Sequence, residues 1–477
     1  MGKYFGTDGF RGEVNVALTA RHAYEIGRYI GRYFSEKCKN AVDSEAFLSG
    51  VGEGARARVV IGKDPRRSSY MYEYALSAGL TASGADAYLL HVTTTPSVSY
   101  LTRTEGFDCG VMISASHNPY TDNGIKIFDA LGEKADEELL DGIEAHLSSV
   151  FGCNEGGMSL MNESGVLPYA LGLDVGRTVD FAAGRNRYIG FLIALAKVSL
   201  REKRIGLDCA DGSTFFIAKS VFDALGATTY SIHASPDGSN INRGCGSTRP
   251  QALQALVREQ GLDMGFAFDG DGDRCICVDE NGEIRDGDCI LYACALDLKR
   301  QNALDGNKIV ATVMSNSGLV AALERQGIGV ERTRVGDRFV YERMRERNAA
   351  LGGEQSGHII FAKHSSTGDG ILTAIKLAEL CVEREQSFSA LFEGLTLYPQ
   401  TLLNARVKNK RAVLYSPRVQ AAAYNAEEKV KAVGGRLLIR PSGTEELIRI
   451  LTECADEKIA SEAAASVLKA VEEEDGR

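Results

Sequence analysis

No stretch of this 477-residue sequence is long and apolar enough to span a bilayer. The opening MGKYFGTDGF lacks the apolar core of a signal peptide, and Gly6 stands where a myristoylation signal wants Ser or Thr. Basic residues are in deficit, 54 Lys and Arg against 64 Asp and Glu. The net charge of −10 argues against nucleic acid or an anionic membrane as the main partner, though not against a small basic pocket. No Cys-x-x-Cys occurs, the 11 cysteines are odd in number, and several fall in apolar runs such as GLDCADG and CICV. They are expected to be small buried hydrophobes in a reducing compartment, with the cytoplasm as the expected address. The Gly-x-Ser-x-Gly elbow is also missing, and no Ser-His-Asp order can be read. What remains is an ordinary soluble globular composition, 44% hydrophobic and 25% charged, over a length that suits roughly three to four domains.

What is present repeats. VVIGKDPRRSS leads through an apolar-periodic segment to SGADAYLLHV, RIGLDCADGST through FIAKSVFDALGATTYSIHA, and KIVATVMSNSG through LVAALERQGIGVERTRV. Each is a β-branched strand, a loop with Gly or Ser, a helix closed by Gly84, Gly226 or Gly327, and a second strand. Such a unit favours parallel pairing with a right-handed crossover. Three copies, starting near residues 59, 204 and 308, predict three similar mixed-sheet α/β domains. TLLNARVKNK, GRLLIRPSGTEELIRILTE and the helical EKIASEAAASVLKAVEEE predict a smaller C-terminal α+β domain. The expected division is 1–173, 174–286, 287–397 and 398–477. Stretches 39–57 and 150–168, rich in Gly, Ser, Asn and Glu, are expected to be surface loops or insertions.

MGFAFDGDGDRCICVDENG separates Asp269, Asp271 and Asp273 only by glycines. With Glu280 in the twelfth place the spacing imitates an EF-hand calcium loop. Arg274, however, stands at the sixth place where that loop needs Gly, and GFAF and CICV alternate like strands. A glycine-rich loop between two strands can instead aim three carboxylates at one hard cation. Oxygen ligands favour magnesium, which keeps positions open for phosphate oxygens. Two other readings stay open at this point: a hairpin turn whose aspartates cap backbone amides, and an aspartyl nucleophile.

GVMISASHNPYTDNGIKIF offers a different nucleophile. Its apolar strand runs into Ser116, His117, Asn118 and Pro119, so Ser116 sits at a strand end, where α/β domains place chemistry. An ordinary turn is the plainer reading. A serine hydroxyl alone is a weak nucleophile. If Ser116 carries a phosphoryl group, magnesium at the aspartate loop would neutralise and polarise it. LLIRPSGTEELIRI holds Arg440, Ser442, Gly443, Thr444 and Arg449 in and after a turn, as a phosphate cradle or a plain connection would. LGGEQSGHII sets Glu354, Ser356 and His358 at alternate positions, which would let them share one face toward sugar hydroxyls, and a capped loop explains them almost as well.

Together these pieces resemble the phosphohexose mutase superfamily, and within it the phosphoglucosamine mutases. GTDGFRG, SASHNPYTDNGIKIF, DGDGDR, GGEQSGH and RPSGTEELIRI occur in that family's order across nearly the whole chain. NINRGCGSTRPQAL, RTRVGDRFVYERMRE and SSTGDGILTAIKLAEL match between them. The resemblance implies three similar α/β domains and a smaller fourth around a central active-site cleft. It implies a reaction that moves phosphate between C1 and C6 of glucosamine phosphate, toward UDP-N-acetylglucosamine, primed by a sugar 1,6-bisphosphate. By the same resemblance Ser116 is the phosphoserine, and Asp269, Asp271 and Asp273 bind magnesium together with one of its phosphate oxygens. Arg11 and His117 position the phosphoserine, and Lys126 is the acid–base beside it, a role that needs a depressed pKa if it must accept a proton. Glu354 and Ser356 contact the sugar, and His358 is a second proton-transfer candidate. Arg440, Ser442, Gly443 and Thr444, with Arg449 beside them, grip the phosphate that is not transferring.

Phe10 stands where the family usually has Ile, and Glu446 where it usually has Pro. A negative charge there would weaken phosphate binding unless it points to solvent. Gln355 is the local discriminator of sugar, because relatives acting on glucose or mannose phosphates often have Met at that place. A phosphoglucomutase or phosphomannomutase of the same mechanism, a non-catalytic sugar-phosphate sensor and a magnesium-dependent phosphatase are the alternatives. Oligomeric state is not legible, and a homo-oligomer stays open.

Overall fold

The computed structural model describes residues 3–6, 8–49, 56–152, 167–441 and 446–476. The chain divides into two compact units, Met1–Thr312 with Arg332–Leu391, and Val313–Glu331 with Phe392–Arg477.

The first unit opens with β1 (Phe5–Gly6), β2 (Gly9–Glu13) and a long helix, α1 (Ala20–Ser49). The first repeat then runs β3 (Arg58–Lys63), α2 (Arg67–Ala82), β4 (Asp86–Val92), α3 (Thr95–Thr104), β5 (Cys109–Ile113) and β6 (Asp122–Phe128), followed by α4 (Glu137–Val150) and β7 (Thr178–Asp180). The sheet order is β1-β2-β6-β5-β3-β4-β7, with β3 parallel to β4 and β5, and β6 antiparallel to β5. Val59, Val60 and Ile61 are all buried because both faces of β3 are covered. Val59 and Ile61 pack with Leu76 and Leu80 of α2, whereas Val60 packs with Val98 and Leu101 of α3.

The second repeat follows α5 (Gly184–Leu195) and has the same plan: β8 (Arg204–Asp208), α6 (Thr214–Ala224), β9 (Thr228–Ile232), α7 (Gln251–Gln260), β10 (Met264–Phe268) and β11 (Cys275–Asp279). After β12 (Ile284–Arg285) and α8 (Gly287–Arg300) comes the third: β13 (Lys308–Thr312), α9 (Ser317–Arg325), β14 (Gly329–Thr333), α10 (Asp337–Arg347), β15 (Leu351–Gly353) and β16 (Ile359–Phe361), closed by α11 (Gly370–Glu383). In every copy the third strand lies parallel to the first, and a short loop returns the chain as an antiparallel strand. Gly84, Gly226 and Gly327 all take positive φ at the ends of their helices, as the sequence predicts.

Stretch 39–57 differs from the loop expected of it. Helix α1 continues to Ser49, so 39–49 are helical, whereas 50–55 lie outside the described residues, as do 153–166 of the second stretch. Phe10 fills its apolar place by packing against Tyr4, Phe5 and His22. Among the described residues the cysteines are free and, Cys38 apart, buried, and no helix is long and apolar enough to cross a membrane.

In the second unit β17 (Gln400–Arg406), β18 (Arg436–Pro441) and β19 (Leu447–Glu453) form an antiparallel sheet in the order β17-β19-β18. It packs against α13 (Pro417–Lys431) and α14 (Glu457–Asp475) through Val419, Val430, Ile448, Ile450 and Val467, with the short α12 (Lys410–Leu414) between β17 and α13. Glu453 is buried and accepts bonds from Arg436 Nε (2.6 Å), Gln400 Nε2 (2.6 Å), and both Ser317 N (2.7 Å) and Ser317 Oγ (2.6 Å). This satisfied carboxylate ties the start of α9 to the C-terminal sheet of the same unit.

Tyr188 of α5 donates to Asp369 Oδ2 at 2.8 Å, and Asp369 Oδ1 caps α11 by accepting from Leu372 N at 2.9 Å. Burial pushes the Asp369 carboxyl up to about 6. The folded chain therefore binds this proton more tightly than the unfolded chain, and the stability due to it falls as pH rises from about 4 to about 6. Asp369→Asn should flatten the decline of Tm across that window; unchanged slopes in melting curves of the two proteins would remove Asp369 as its source.

Candidate active site

The loop after the third strand of each repeat carries one of the sequence motifs. Ser116, His117 and Asn118 lie between β5 and β6, Asp269 to Arg274 between β10 and β11, and Glu354 to His358 between β15 and β16. The first two loops meet. Ser116 Oγ donates to Asp269 Oδ2 at 2.5 Å, and a side chain at Gly270 would strike the Ser116 carbonyl oxygen. Gly272, at φ +73°, lets the next residues turn back.

Ser116 is buried and itself takes a left-handed backbone, φ +52°, which disfavours a residue with a Cβ. Its surroundings fix that conformation. Ser116 N donates to Ser114 Oγ (2.9 Å), and Ser116 O accepts from Arg66 Nη2 (3.1 Å) and Asn242 Nδ2 (2.8 Å). The same two side chains bond Asn118 O at 2.6 and 3.0 Å. Arg66, fully buried, is paired with Asp64. Sequence reasoning missed Arg66 and Asn242: both lie in quoted stretches, but Arg66 reaches Ser116 from 50 residues away within its own repeat and Asn242 from the next repeat, which leaves no local signal.

Asp269, Asp271 and Asp273 are buried, with one oxygen from each all within 4.8 Å of one another. Burial and the charges of Asp273 and Asp271 push the Asp269 carboxyl well above the usual carboxylate range. Asp271 Oδ2 is satisfied by Thr95 Oγ1 (2.6 Å) and Lys126 Nζ (2.8 Å), and Asp273 Oδ2 by Lys126 at 3.2 Å. The Oδ1 atoms of Asp271 and Asp273 are buried with no hydrogen-bond partner. Convergent carboxylates with orphaned oxygens fit a hard divalent cation, whereas a turn of amide-capping aspartates would leave none.

Lys126 departs from expectation. Burial would lower its pKa, but Asp271, Asp8 and Asp273 outweigh burial and hold it well above the ordinary lysine value. It is a fixed ammonium that can give a proton, and the depressed pKa of a resting acceptor is not there. His117 goes the other way. Its Nδ1 lies 3.3 Å from Ser116 Oγ, and burial with the nearby Arg274 and Arg11 pulls it down to about 4, so the ring is neutral at pH 7. The buried Nε atoms of Arg11 and Arg274 make no hydrogen bond, although Arg11 pairs with Asp8 and Arg274 Nε lies 3.8 Å from Asp273 Oδ1. Two such guanidiniums beside His117 suit an anion carried on the neighbouring serine.

The third loop is a hairpin turn rather than the extended stretch that alternation implied. Glu354 N donates to His358 O at 3.0 Å, and Gly357 sits at φ +90°. Ser356 is exposed and His358 buried, so the three side chains do not line one strand face. His358 Nε2 accepts from Gly368 N at 2.8 Å, which puts the ring proton on Nδ1, 3.7 Å from Asp273 Oδ2. Glu354 Oε1 accepts from Gly336 N at 3.0 Å. Gln355 is engaged elsewhere: its amide donates to Asp286 Oδ2 at 3.2 Å, and Asp286 caps α8.

Two further residues extend the charge network. Lys126 Nζ lies 3.4 Å from Asp8 Oδ2, and Lys134 Nζ bonds Asp8 Oδ1 and Asp337 Oδ1, both at 2.7 Å. Asp337 and His358 line a cleft of about 570 Å³. In the second unit Arg440 and Arg449 are direct cross-strand partners on β18 and β19. Like charges so placed repel, and an anion between them reverses the sign. Glu446 is exposed, so its charge faces solvent. Ser442, Gly443 and Thr444 lie outside the described residues.

Magnesium at a hundredfold excess over its Kd should stabilise the protein by about 2.7 kcal/mol. Asp271→Asn should lose most of the corresponding rise in Tm, as followed by calorimetry with and without the ion. An equal rise in both proteins would place the cation elsewhere.

Models of the phosphoglucomutase/phosphomannomutase family match along the chain: alpha/beta/alpha domain I over 2–151, domain II over 186–282, domain III over 286–398 and the C-terminal domain over 402–470. A phosphoglucosamine mutase of Lachnospira eligens is 52% identical over 455 residues, 95% of this chain and 94% of its own length. Among solved structures, a phosphoglucomutase/phosphomannomutase family protein of Burkholderia thailandensis superposes with a TM-score of 0.77 at 24% identity, over 99% of this chain and 98% of its own. An N-acetylphosphoglucosamine mutase of Aspergillus fumigatus, solved with GlcNAc-6P and magnesium, gives 0.64 at 17% identity, over 100% of this chain and 96% of its own. Repeats, motif loops and relatives agree, and the chain belongs to the phosphoglucomutase/phosphomannomutase family, in its phosphoglucosamine mutase branch.

Proposed function

We propose that the chain interconverts glucosamine 6-phosphate and glucosamine 1-phosphate through a phosphorylated Ser116 and a sugar bisphosphate. The observation that carries the reading is the 2.5 Å bond from Ser116 Oγ to Asp269, which sets the serine against the buried carboxylate turn. Asp269, Asp271 and Asp273 would hold magnesium, which when bound supplies positive charge to the phosphoryl oxygens and polarises phosphorus.

The chain's own residues do the rest. Arg66 and Asn242 hold the Ser116 loop in its strained conformation, so Oγ keeps one position through repeated transfers. Arg11 and Arg274 offer guanidinium donors to the phosphate on Oγ. When the free sugar hydroxyl attacks phosphorus, the P–Oγ bond breaks, and one proton passes in net from that hydroxyl to Oγ. Lys126, kept as an ammonium by three carboxylates, gives the proton to Oγ. The amine it becomes, still surrounded by carboxylates, is then a strong base for the proton of the hydroxyl. The bisphosphate turns around and its other phosphate returns to Ser116. Glu354 and Ser356 would meet the sugar, His358 would be a second proton-transfer group beside Asp273, and Arg440, Ser442, Gly443, Thr444 and Arg449 would take the phosphate that is not transferring. A sugar 1,6-bisphosphate primes the enzyme, and the product is suited to a following uridylyl transfer.

The test is kcat/KM for glucosamine 1-phosphate against glucose 1-phosphate, with magnesium and a bisphosphate primer. We expect a clear preference for the amino sugar, and no turnover by Ser116→Ala. Equal rates on both sugars would make the chain a general hexose-phosphate mutase; turnover by Ser116→Ala would remove the phosphoserine.

A further inference from the structure

Resting on the amino-sugar reading above, the geometry points to Asp337 as the residue that recognises the C2 ammonium of the substrate. Glucosamine phosphate differs from glucose phosphate in carrying a positive charge at C2, so a selective site needs an unfilled acceptor of negative charge. Gln355, the residue that sequence offers as discriminator, is bonded to the cap of α8.

Asp337 has the open valence. Its Oδ1 is filled by Lys134 Nζ at 2.7 Å and Arg338 N at 2.8 Å. Its Oδ2 faces His358 Nε2 at 3.7 Å, but that nitrogen is itself an acceptor, occupied by Gly368 N at 2.8 Å. Two acceptors therefore face each other across a gap, and among the described residues Oδ2 has no donor. Asp337 lines the 570 Å³ cleft beside His358, large enough for a sugar phosphate.

The position also connects with the transfer site. Asp337, Lys134, Asp8 and Lys126 alternate in sign, and Lys126 ends the series on Asp271. Lys134 is shared between Asp337 and Asp8, which also pairs with Arg11, and it bonds Asp337 only through Oδ1, so the charge on Oδ2 is left without a hydrogen bond. The side chain is mostly buried, with 13% of its surface exposed, which strengthens a charge-assisted bond over what solvent would allow. A neutral C2 hydroxyl would leave that charge uncompensated, whereas an ammonium fills Oδ2 and balances it. Glu354, from the loop after β15, accepts from Gly336 N at 3.0 Å and so brings a second carboxylate next to the start of α10. Discrimination then comes from leaving a buried charge unpaired when the wrong sugar binds.

The test is the ratio of kcat/KM for glucosamine 1-phosphate to that for glucose 1-phosphate, measured on wild type, Asp337→Asn and Asp337→Ser. Both sugars are assayed on one preparation, so any loss of folded protein cancels. We expect the ratio to fall about tenfold or more in both variants, mainly through the amino sugar. A wild-type preference that survives unchanged in either active variant would overturn the inference and leave the amino-sugar reading intact, as would equal losses on both sugars, which mark Asp337 as a holder of Lys134 only. A wild type with no preference would overturn the reading and the inference together.

Discussion

Three carboxylates buried within one turn repel each other, and the arrangement around Ser116 answers that repulsion. Lys126 supplies one positive charge, Arg274 a longer contact to Asp273 Oδ1 at 3.8 Å, Thr95 one hydroxyl donor and Ser116 another, yet the Oδ1 atoms of Asp271 and Asp273 are left without a hydrogen bond. A fully satisfied network would be more stable and inert. This one is short of positive charge, which a divalent cation supplies, and the shortage is what lets the turn act on a phosphate. Asp8 belongs to the same balance. Burial pushes its carboxyl up, but Lys126, Lys134 and Arg11 pull it well below the usual range, so it stays ionised and keeps both lysines charged.

The fold supplies one mechanical solution three times. In each repeat the functional loop follows the strand parallel to the first and is clamped on its far side by an antiparallel return strand. A loop held by paired strands on both sides has little freedom, which suits atoms that must stay within hydrogen-bond range through repeated phosphoryl transfers. The return strands also carry chemistry: Lys126 sits on β6, opposite Met112 of β5.

Much of this is legible in the sequence because it is local. β-Branched runs, helix-closing glycines and the aspartate turn are short-range patterns, and each became the element they predict. What was not legible depends on distance in the chain. Arg66 and Asn242 meet at the Ser116 carbonyl from opposite sides of the sequence. The pKa of Lys126 takes its sign from carboxylates far along the chain, Asp8 before the first repeat and Asp271 and Asp273 in the second, against the direction that burial alone would give. Glu354, Ser356 and His358 alternate like strand residues, but Gly357 folds them into a turn. Helix α1 overran its expected end because Ala41, Glu45 and Ala46 are good helix formers inside a stretch whose composition resembles a loop.

The central claim is that Ser116 is the group that carries phosphate between substrates. Peptide mass spectrometry of the full chain, before and after incubation with glucose 1,6-bisphosphate and magnesium, tests it most directly. The account predicts one added phosphoryl group, on the peptide containing Ser116 and on that serine alone. A phosphoryl group on Asp269, Asp271 or Asp273 instead, or mutase turnover with Ser116 never phosphorylated, would contradict it.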